Sequence, residues 1–398
     1  MGDAGRAAAW LPLVVGLEGA ARVRPRDRPA HFRRQRPAWE AAADVFGEVR
    51  YARLGDRLAR WRTPDPRLAV VKELLWALEQ PEAAGYTRLA LAGTQALVRL
   101  VPADDVRVGY VLAQSARAVR TLGDLEGAIE RYVVSEKLGH RHHDRWLRAR
   151  SNLGLGTTYQ HIGNYPAARV SFQRTLEKSP PDNRIAAAAH HGLLVNAMVA
   201  QDWDTALDKG WYLLQARRSG AIPRAEVLNL LAELCRRIGR YRAAVRAAEA
   251  ALREPFRPDR ALVSLAVLVQ VAAMLRDRRL GQHYGPLLRE CIGTTAGPFE
   301  DARALVVLAR LEQMCGATVT ARADLGRARA IADRFGYHEL QFETEKLEAV
   351  LNMPPQRVND RDAEIPGMVP LSAPSQYIVS QLDSWNDGSV SDLAGMPG

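Results

Sequence analysis

The sequence predicts an all-α protein, and three of its features lead to that prediction. Hydrophobic residues make up 47% of the 398 residues, which is enough for a packed core. Segments with the apolar spacing of helices follow one another from residue 67 to about residue 352. Alternating apolar and polar runs flanked by Asn-Gly or Asp-Gly turns are absent, so no β-sheet is predicted.

Composition divides the chain into three regions. Residues 1–66 are predicted to form an N-terminal helical and Arg-rich arm, because residues 22–37 contain seven arginines and three prolines. Proline breaks helices and like charges repel, so residues 22–37 are interpreted as a linker or basic arm. Residues 67–352 contain the helical repeat. Residues 353–398 are rich in Pro, Ser, Asp and Gly and are predicted to be a disordered acidic tail, with an apolar docking segment at Tyr377–Trp385.

A six-residue pattern recurs through the helical region. It begins with a small or polar residue, continues after one spacer with a bulky residue, and ends on an alanine three positions further on. The copies are GDLEGA from Gly123, GNYPAA from Gly163, QDWDTA from Gln201, GRYRAA from Gly239, RRLGQH from Arg278 (a loose fit) and GATVTA from Gly316. Successive copies start 40, 38, 38, 39 and 38 residues apart, so the pattern predicts a tandem repeat.

Each repeat is predicted to be a pair of antiparallel helices joined by a short turn. In the copy that spans Leu153–Pro180, Gly163 allows the first helix to end and the chain to reverse. Gly156 and Ala168 are predicted to face each other where the two helices approach most closely, with aromatic side chains such as Phe172 around them. The proline at the end of the copy stops the second helix.

The same copy carries small, aromatic and apolar residues in an order typical of one repeat family. The matching positions are Leu155, Gly156, Tyr159, Gly163, Tyr165, Ala168, Phe172, Leu176 and Pro180. They resemble the tetratricopeptide repeat (TPR) family, in the long-period form of bacterial proteins. The resemblance covers roughly residues 106–350 and implies a right-handed α-solenoid of about seven or eight TPR-like hairpins.

The resemblance also implies where a ligand binds. In the family, the first helix of each hairpin lines an inner groove that holds extended or helical peptides. The inward positions implied for this chain are Gln114, Arg117, Arg120, Thr157, Gln160, His161, His191, Asn229, Glu233, Arg236, Arg310 and Gln313. Arginine dominates the charged members and its planar donors suit carboxylates, so an acidic protein or peptide segment is the expected ligand. The acidic tail of the chain is a second candidate occupant, anchored by Trp385.

These observations predict a non-catalytic scaffold or regulator that binds a protein or peptide segment. The net charge of +10 favours acidic partners in general. Two alternatives stay open. One is the peptide-sensing module of a transcriptional or signalling regulator, and the other is nucleic-acid binding through the Arg-rich N-terminal arm, which is not favoured.

The sequence offers no pattern for catalysis or for a cofactor. It contains no nucleophile elbow, no HExxH motif and no pair of carboxylates on one helical face, so neither an enzymatic activity nor a cofactor is expected. The histidines of HRHHD (His140–Asp144) are interpreted as solvated loop residues, with a metal site as the alternative. The cysteines are odd in number and lack CxxC spacing, and no apolar run reaches about 18 residues, so a cytoplasmic chain without a membrane span is predicted.

Overall fold

The computed structural model describes residues 3–35, 37, 68–83, 86–179, 184–216, 222–254, 258–293, 297–352 and 368–385. Within these residues every regular element is a helix, which confirms the predicted all-α class. The chain separates into two compact units, unit 1 (Met1–Gly192) and unit 2 (Leu193–Gly398). The three-region division predicted from composition stays a prediction.

The helices are arranged as consecutive antiparallel pairs. The helices that begin in unit 1 are α1 (Asp3–Arg22), α2 (Arg28–Arg34), α3 (Leu68–Ala83), α4 (Thr87–Val98), α5 (Val106–Thr121), α6 (Leu125–Arg141), α7 (Arg145–Ile162), α8 (Tyr165–Lys178) and α9 (Arg184–Val199). Those of unit 2 are α10 (Trp203–Gln215), α11 (Arg224–Arg237), α12 (Tyr241–Arg253), α13 (Pro258–Leu275), α14 (Arg278–Cys291), α15 (Pro298–Met314), α16 (Thr318–Phe335), α17 (His338–Asn352) and α18 (Ala373–Asp383). From α3 to α16 the odd-numbered helices are the first helices of their pairs, α17 follows the last of these pairs, and the division between units falls within α9.

The turns inside the repeated pairs share one backbone geometry. The reversing residue has a positive φ in each, and these residues are Gly123, Gly163, Gln201, Gly239, Arg276 and Gly316. The residue after it donates its backbone N–H to the carbonyl five positions back, as Asn164 does to Tyr159 at 2.9 Å. This six-to-one hydrogen bond belongs to the Schellman motif, which satisfies a free helix carbonyl and ends the helix.

In the structure, one copy of the repeat starts two residues earlier than predicted. The pattern started that copy at Arg278, but the left-handed residue is Arg276, so the turn lies at Arg276 and Asp277. Asp277 caps α14 by accepting two backbone N–H groups of its first turn at 2.9 and 3.0 Å. In this register Gly281 takes the place that Ala168 has in its own hairpin. The sequence pattern missed the register because an arginine stands where most other copies have glycine.

Close approach of the helices occurs at small residues. The alanines that end the repeat pattern are fully buried, and these are Ala128, Ala168, Ala206, Ala244 and Ala321. In unit 1 the ring of Phe172 on α8 lies against both Gly156 on α7 and Gly192 on α9. The Phe172 ring thus fills the space beside Gly156, as predicted, and the direct approach of Gly156 to Ala168 stays a prediction.

Residues 22–34 differ from the predicted linker. Pro25–Asp27 forms a single 3-10 turn, and α2 follows it with a proline in its first turn, where proline disrupts no helical hydrogen bond. Phe32 is fully buried, and Arg28 donates from Nη1 to the carbonyl of Leu100 at 3.2 Å. The apolar Phe32 thus fixes α2 within the core of unit 1. Residues 38–67, which complete the predicted arm, lie outside the described residues.

Part of the C-terminal tail is helical and packs on unit 2. α18 contacts α10 and α12, the second helices of their hairpins, and buries Ile378, Val379 and Leu382. Trp385 is 7% exposed, and its ring meets the ring of Trp211 edge-on at a centroid distance of 6.5 Å. These contacts bury the apolar side of α18.

The position of α18 corrects the prediction for the tail. The tail was predicted to be disordered and to place Tyr377–Trp385 in a groove formed by first helices, but this segment lies on second helices. Ser372 helps to fix it there, since it donates from its backbone N and from Oγ to Asp204 at 3.1 and 2.7 Å. Residues 353–367 and 386–398 of the predicted tail lie outside the described residues.

We expect Gly156→Ala to destabilise the protein by about 1–3 kcal/mol, since the added methyl group overpacks the hairpin. A Cβ at residue 156 would stand 2.6 Å from a carbon of the Phe172 ring. Gly326 on α16 is the matched control, because a Cβ there meets nothing within 4 Å. Gly326→Ala should stabilise the protein by up to about 1 kcal/mol through helix propensity. Denaturant unfolding measures the change in free energy of unfolding for both variants. Equal changes for Gly156→Ala and Gly326→Ala would contradict the described packing.

Candidate functional site

Unit 2 contains an open cavity of about 1040 Å³, which we call the arginine cavity. Its wall is formed by the C-terminal ends of α11 and α13, by one face of α15 and by the first turns of α17. Its charged lining residues are Arg236, Arg237, Arg276, Arg278, Arg303, Arg310, Glu233, Glu339 and Glu343. The remaining lining residues are Gln270, Ala273, Met274, Phe299, Val307, Gln313, Met314 and Leu340.

Helical spacing explains why these side chains share one surface. On α15, Arg303, Val307, Arg310 and Met314 recur at intervals of three or four residues and therefore lie on one face. First helices of successive pairs lie side by side, because α11 packs on α13, α13 on α15 and α15 on α17. One strip of side chains from each first helix thus contributes to a single wall.

The lining of the arginine cavity is positively charged. Six arginines stand against three glutamates, so the lining carries three more positive than negative charges. Guanidinium groups gathered in a concave surface create a positive potential that attracts carboxylates. Their planar donor groups also match the two oxygens of a carboxylate.

Glu233 lies at the centre of the arginines on α11. Arg236 donates to its carboxylate from Nε at 2.8 Å and from Nη2 at 2.7 Å, and Arg237 donates from Nε at 2.8 Å. A third guanidinium approaches from α15, with Nη2 of Arg303 at 4.0 Å from Oε1 of Glu233. The Glu233 residue is 8% exposed, so this carboxylate holds the three arginines from inside the wall.

The electrostatics of Glu233 follow from these contacts. Burial raises the pKa of its carboxyl, but the hydrogen bonds and charges of Arg236 and Arg237 outweigh burial and bring the pKa to about 2. Glu233 is therefore ionised at neutral pH. Its negative charge lowers the repulsion between the arginines without removing the positive excess of the cavity.

The outer ion pairs of the cavity are more exposed. Arg310 lies 3.5 Å from Glu343, with side chains 41% and 38% exposed. Ion pairs exposed to this degree stabilise a protein by only about 0–1 kcal/mol. An incoming carboxylate can therefore take the place of Glu343 beside Arg310 at small cost.

The cavity also contains an unsatisfied acceptor and apolar surface. The Oε1 atom of Gln270 is buried and has no hydrogen-bond partner within the described part of the chain. A buried acceptor without a donor is unfavourable. Phe299, Val307 and Leu340 add apolar contact area to the same wall.

Five of the twelve residues implied by the family resemblance lie in unit 2. Glu233, Arg236, Arg310 and Gln313 line the arginine cavity. Asn229 lies one turn before Glu233 on α11, but it is buried and its Oδ1 accepts a hydrogen bond from Ser264 Oγ at 2.5 Å. Asn229 therefore serves the packing of α11 on α13.

The seven residues implied in unit 1 are Gln114, Arg117, Arg120, Thr157, Gln160, His161 and His191. Gln114 is buried and accepts from Arg150 Nη2 at 2.6 Å, and the same nitrogen donates to Glu79 at 3.0 Å. Arg117 lies 3.9 Å from Glu79. These four residues thus belong to one network that links α3, α5 and α7.

The other residues implied in unit 1 are engaged locally. Thr157 donates to the carbonyl of Leu153 in its own helix at 3.0 Å, and Gln160 donates from Nε2 to the carbonyl of Gly192 at 2.9 Å. Burial lowers the pKa of His161, and the charge of Arg120 lowers it further. His191 is half-buried on α9. The structure therefore brings the predicted arginines and glutamate of unit 2 together in a cavity, whereas the predicted residues of unit 1 are engaged with other residues of their own unit.

Sequence reasoning missed several residues of the arginine cavity. Arg237 follows Glu233 by four residues and Arg303 precedes Arg310 by seven, so helical spacing from the predicted residues was an available signal for both. Glu343 lies on α17, and no copy of the six-residue pattern follows this helix in the sequence, so the repeat did not mark it. No sequence pattern marked Gln270, because what distinguishes it is a buried side-chain oxygen without a hydrogen-bond donor.

Two other expectations concern metals and membranes. In the HRHHD segment, His142 Nε2 lies 2.7 Å from the carbonyl oxygen of Asp104. Across the described ranges, no three His, Cys, Asp or Glu side chains are grouped so that they could hold a metal ion. Over the same ranges, none of the helices combines the length and the apolar content that crossing a membrane requires.

We expect Glu233 to stabilise the protein in a pH-dependent way. Its pKa of about 2 lies below that of an unfolded glutamate, so its contribution is present above about pH 4.3 and is lost as the pH falls towards 2. The shift corresponds to about 3 kcal/mol at neutral pH. The free energies of unfolding in urea should therefore differ between the wild type and Glu233→Gln at pH 6, and this difference should shrink towards pH 2.

Glu345→Gln provides the control, because Glu345 is an exposed glutamate on α17 outside the cavity. It should change the free energy of unfolding by less than about 0.5 kcal/mol at either pH. If the difference in free energy of unfolding between the wild type and Glu233→Gln stays constant from pH 6 to pH 2, the carboxylate is not held by the arginines.

Comparison with known proteins gives the fold. No protein-family model matches the sequence. No curated protein sequence matches it. Among solved structures, a tetratricopeptide repeat protein from Parabacteroides merdae has a TM-score of 0.50 at 14% identity, covering 69% of this chain and 98% of that chain. A signal transduction ATPase with numerous domains from Pyrococcus horikoshii, which has a tetratricopeptide repeat sensor, has a TM-score of 0.53 at 12% identity, covering 88% of this chain and 56% of that chain.

A third similar structure is pilF of Pseudomonas aeruginosa, with a TM-score of 0.44 at 15% identity, covering 57% of this chain and 92% of that chain. At identities of 12–14%, the first two structures show a shared fold and leave the ligand open. Together with the repeated Schellman turns and the small residues at the hairpin contacts, the first two structures confirm the resemblance seen in the sequence. The chain has the all-α solenoid fold of the tetratricopeptide repeat proteins.

Proposed function

We propose that this chain is a non-catalytic scaffold or regulator that binds an acidic segment of a protein in the arginine cavity. Folds of this type typically serve protein interactions. The observation that carries the proposal is the lining of six arginines and three glutamates, which come from α11, α15, α17 and the turn at Arg276 with the start of α14. A cytoplasmic location belongs to the same proposal, since all three cysteines are free thiols in the structure.

The chemistry of the lining describes the ligand. Carboxylates of the ligand would bind arginines at the rim, and Arg310 would exchange Glu343 for one of them. Apolar side chains of the ligand would pack on Phe299 and Leu340. An extended peptide offers both carboxylates and apolar side chains, which supports a protein segment over a small acid.

A binding assay with defined peptides tests the proposal. Fluorescence anisotropy of a labelled hexaglutamate should show saturable binding that weakens with added salt, since salt screens exposed charges. Hexalysine of the same length should not bind. Arg310→Glu and Arg278→Glu should each weaken hexaglutamate binding about tenfold, because each reverses a charge in the cavity wall.

Arg174→Glu is the matched control, since Arg174 is an exposed residue of α8 in unit 1 and the change in net charge is the same. It should leave the affinity unchanged. Equal weakening by all three substitutions would overturn the proposal, because the effect would then come from net charge alone. A single-stranded DNA oligonucleotide that binds more tightly than hexaglutamate and does not depend on Arg310 would instead favour the alternative of nucleic-acid binding through the N-terminal arm.

A further inference from the structure

The helix that follows the last hairpin, α17, has one side that faces solvent. It packs on α15 and α16. Glu343 faces α15, where it lies 3.5 Å from Arg310, and Gln341 faces α16, where its Nε2 donates to Asp333 at 2.9 Å. The next described helix of the chain, α18, packs on α10 and α12. Within the described residues, the side of α17 that points away from α15 and α16 therefore has no second helix to complete a hairpin.

This solvent-facing side carries two apolar residues and two opposite charges. Phe342 is 68% exposed, more than any other aromatic side chain in the described part of the chain. Glu345, Lys346 and Ala349 are exposed as well, and they follow Phe342 by three, four and seven residues, so all four lie on one side of the helix. Neither Glu345 nor Lys346 forms an ion pair with another described residue. We call these four residues the α17 face.

The α17 face is complementary to itself. In an antiparallel pair of α17 helices related by a twofold axis between residues 345 and 346, Phe342 of one copy lies opposite Ala349 of the other, and Glu345 lies opposite Lys346. A large side chain then meets a small one, and each charge meets its opposite. An axis through residue 345 or through residue 346 would instead bring two like charges together. The order of the four residues therefore selects one register.

We infer that the α17 face joins two copies of this chain in an antiparallel, twofold dimer. Association removes the apolar surface of Phe342 from water and forms two Glu345–Lys346 pairs beside it. A contact made by one helix from each copy is small, so the dissociation constant should lie at about 1–100 µM. At lower concentrations the chain is monomeric. The inference does not depend on which ligand the arginine cavity binds.

The sequence after α17 favours a second copy over the chain's own residues as the occupant. Residues 353–367 contain three prolines and five charged residues among fifteen. Proline interrupts helical hydrogen bonding, and this composition supplies few apolar side chains to cover Phe342. A second copy brings Ala349 and the opposite charges in the order that the α17 face matches.

Sedimentation equilibrium of the full chain tests the inference. From about 1 to 200 µM, the average mass should rise from that of one chain towards that of two and should not exceed it, because a twofold contact closes on itself. Phe342→Ala should weaken dimerisation about tenfold, since it removes the aromatic centre of the contact. Trp146→Ala is the matched control, because Trp146 is an exposed aromatic residue of unit 1. A wild-type chain that stays monomeric at every concentration, as it would if residues 353–367 covered the α17 face, overturns the inference.

Charge reversal tests the register. Glu345→Lys and Lys346→Glu should each weaken dimerisation at least about tenfold, because all the facing charges then have one sign. The double variant Glu345→Lys/Lys346→Glu should dimerise like the wild type. An equal mixture of the two single variants should form a heterodimer, because opposite charges face each other again.

Lys137→Glu is the control for charge reversal, since Lys137 is an exposed lysine of α6 in unit 1 and the change in net charge is that of Lys346→Glu. It should leave dimerisation unchanged. Dimers that persist in both single variants would place the contact on another surface. A mixture of the single variants that stays monomeric would exclude the antiparallel pairing of Glu345 with Lys346, and either result overturns the inference.

Discussion

The close approach of two helices across a left-handed turn is the constraint on which the rest of the structure depends. Each repeated pair reverses at a residue with positive φ, and the hydrogen bond that follows fixes the end of the first helix. Small residues such as Gly156 then admit a large side chain from the second helix. Because the same turn recurs at nearly constant intervals, the first helices of unit 2 lie in register, side by side. The arginine cavity is a consequence of that register.

The arginine cavity balances attraction for a ligand against repulsion within the protein. Six guanidinium groups in one wall repel one another, and the carboxylate of Glu233 relieves part of this repulsion from inside the wall. Its pKa of about 2 means that it remains ionised across the physiological range. The outer pair of Arg310 and Glu343 is exposed and weak by comparison. The inner carboxylate therefore stabilises the fold, and in the proposed binding mode the exposed Arg310 would exchange Glu343 for a carboxylate of the ligand.

Local rules in the sequence predicted the hairpins and failed where the signal was not local. Glycine or a polar residue at the turn and alanine five positions later identified most of the repeats, since both residue types reflect contacts within one hairpin. Arg276 was missed as a turn residue because its left-handed conformation is not encoded by residue type. The docking of the tail depends on Asp204 and Ser372, which are 168 residues apart, and no spacing rule connects them.

The candidate site shows the same limit. The resemblance to the repeat family selected first-helix positions, and in unit 2 these include Glu233, Arg236 and Arg310. It could not show that Gln114 and Arg117 of unit 1 are held in a network with Glu79, because α3 lies outside the clear repeats. Whether an inward arginine faces a ligand or a neighbouring carboxylate is decided by tertiary contacts, which pattern and composition do not contain.

Hydrogen exchange of the full chain, with and without a saturating acidic peptide, tests the central claim most directly. Binding in the arginine cavity should slow exchange at the C-terminal ends of α11 and α13, along α15 and in the first turns of α17, which together line the cavity. Exchange in α5 and α7 of unit 1 should be unchanged. Protection confined to unit 1, or spread evenly over both units, would contradict the assignment of the arginine cavity as the binding site.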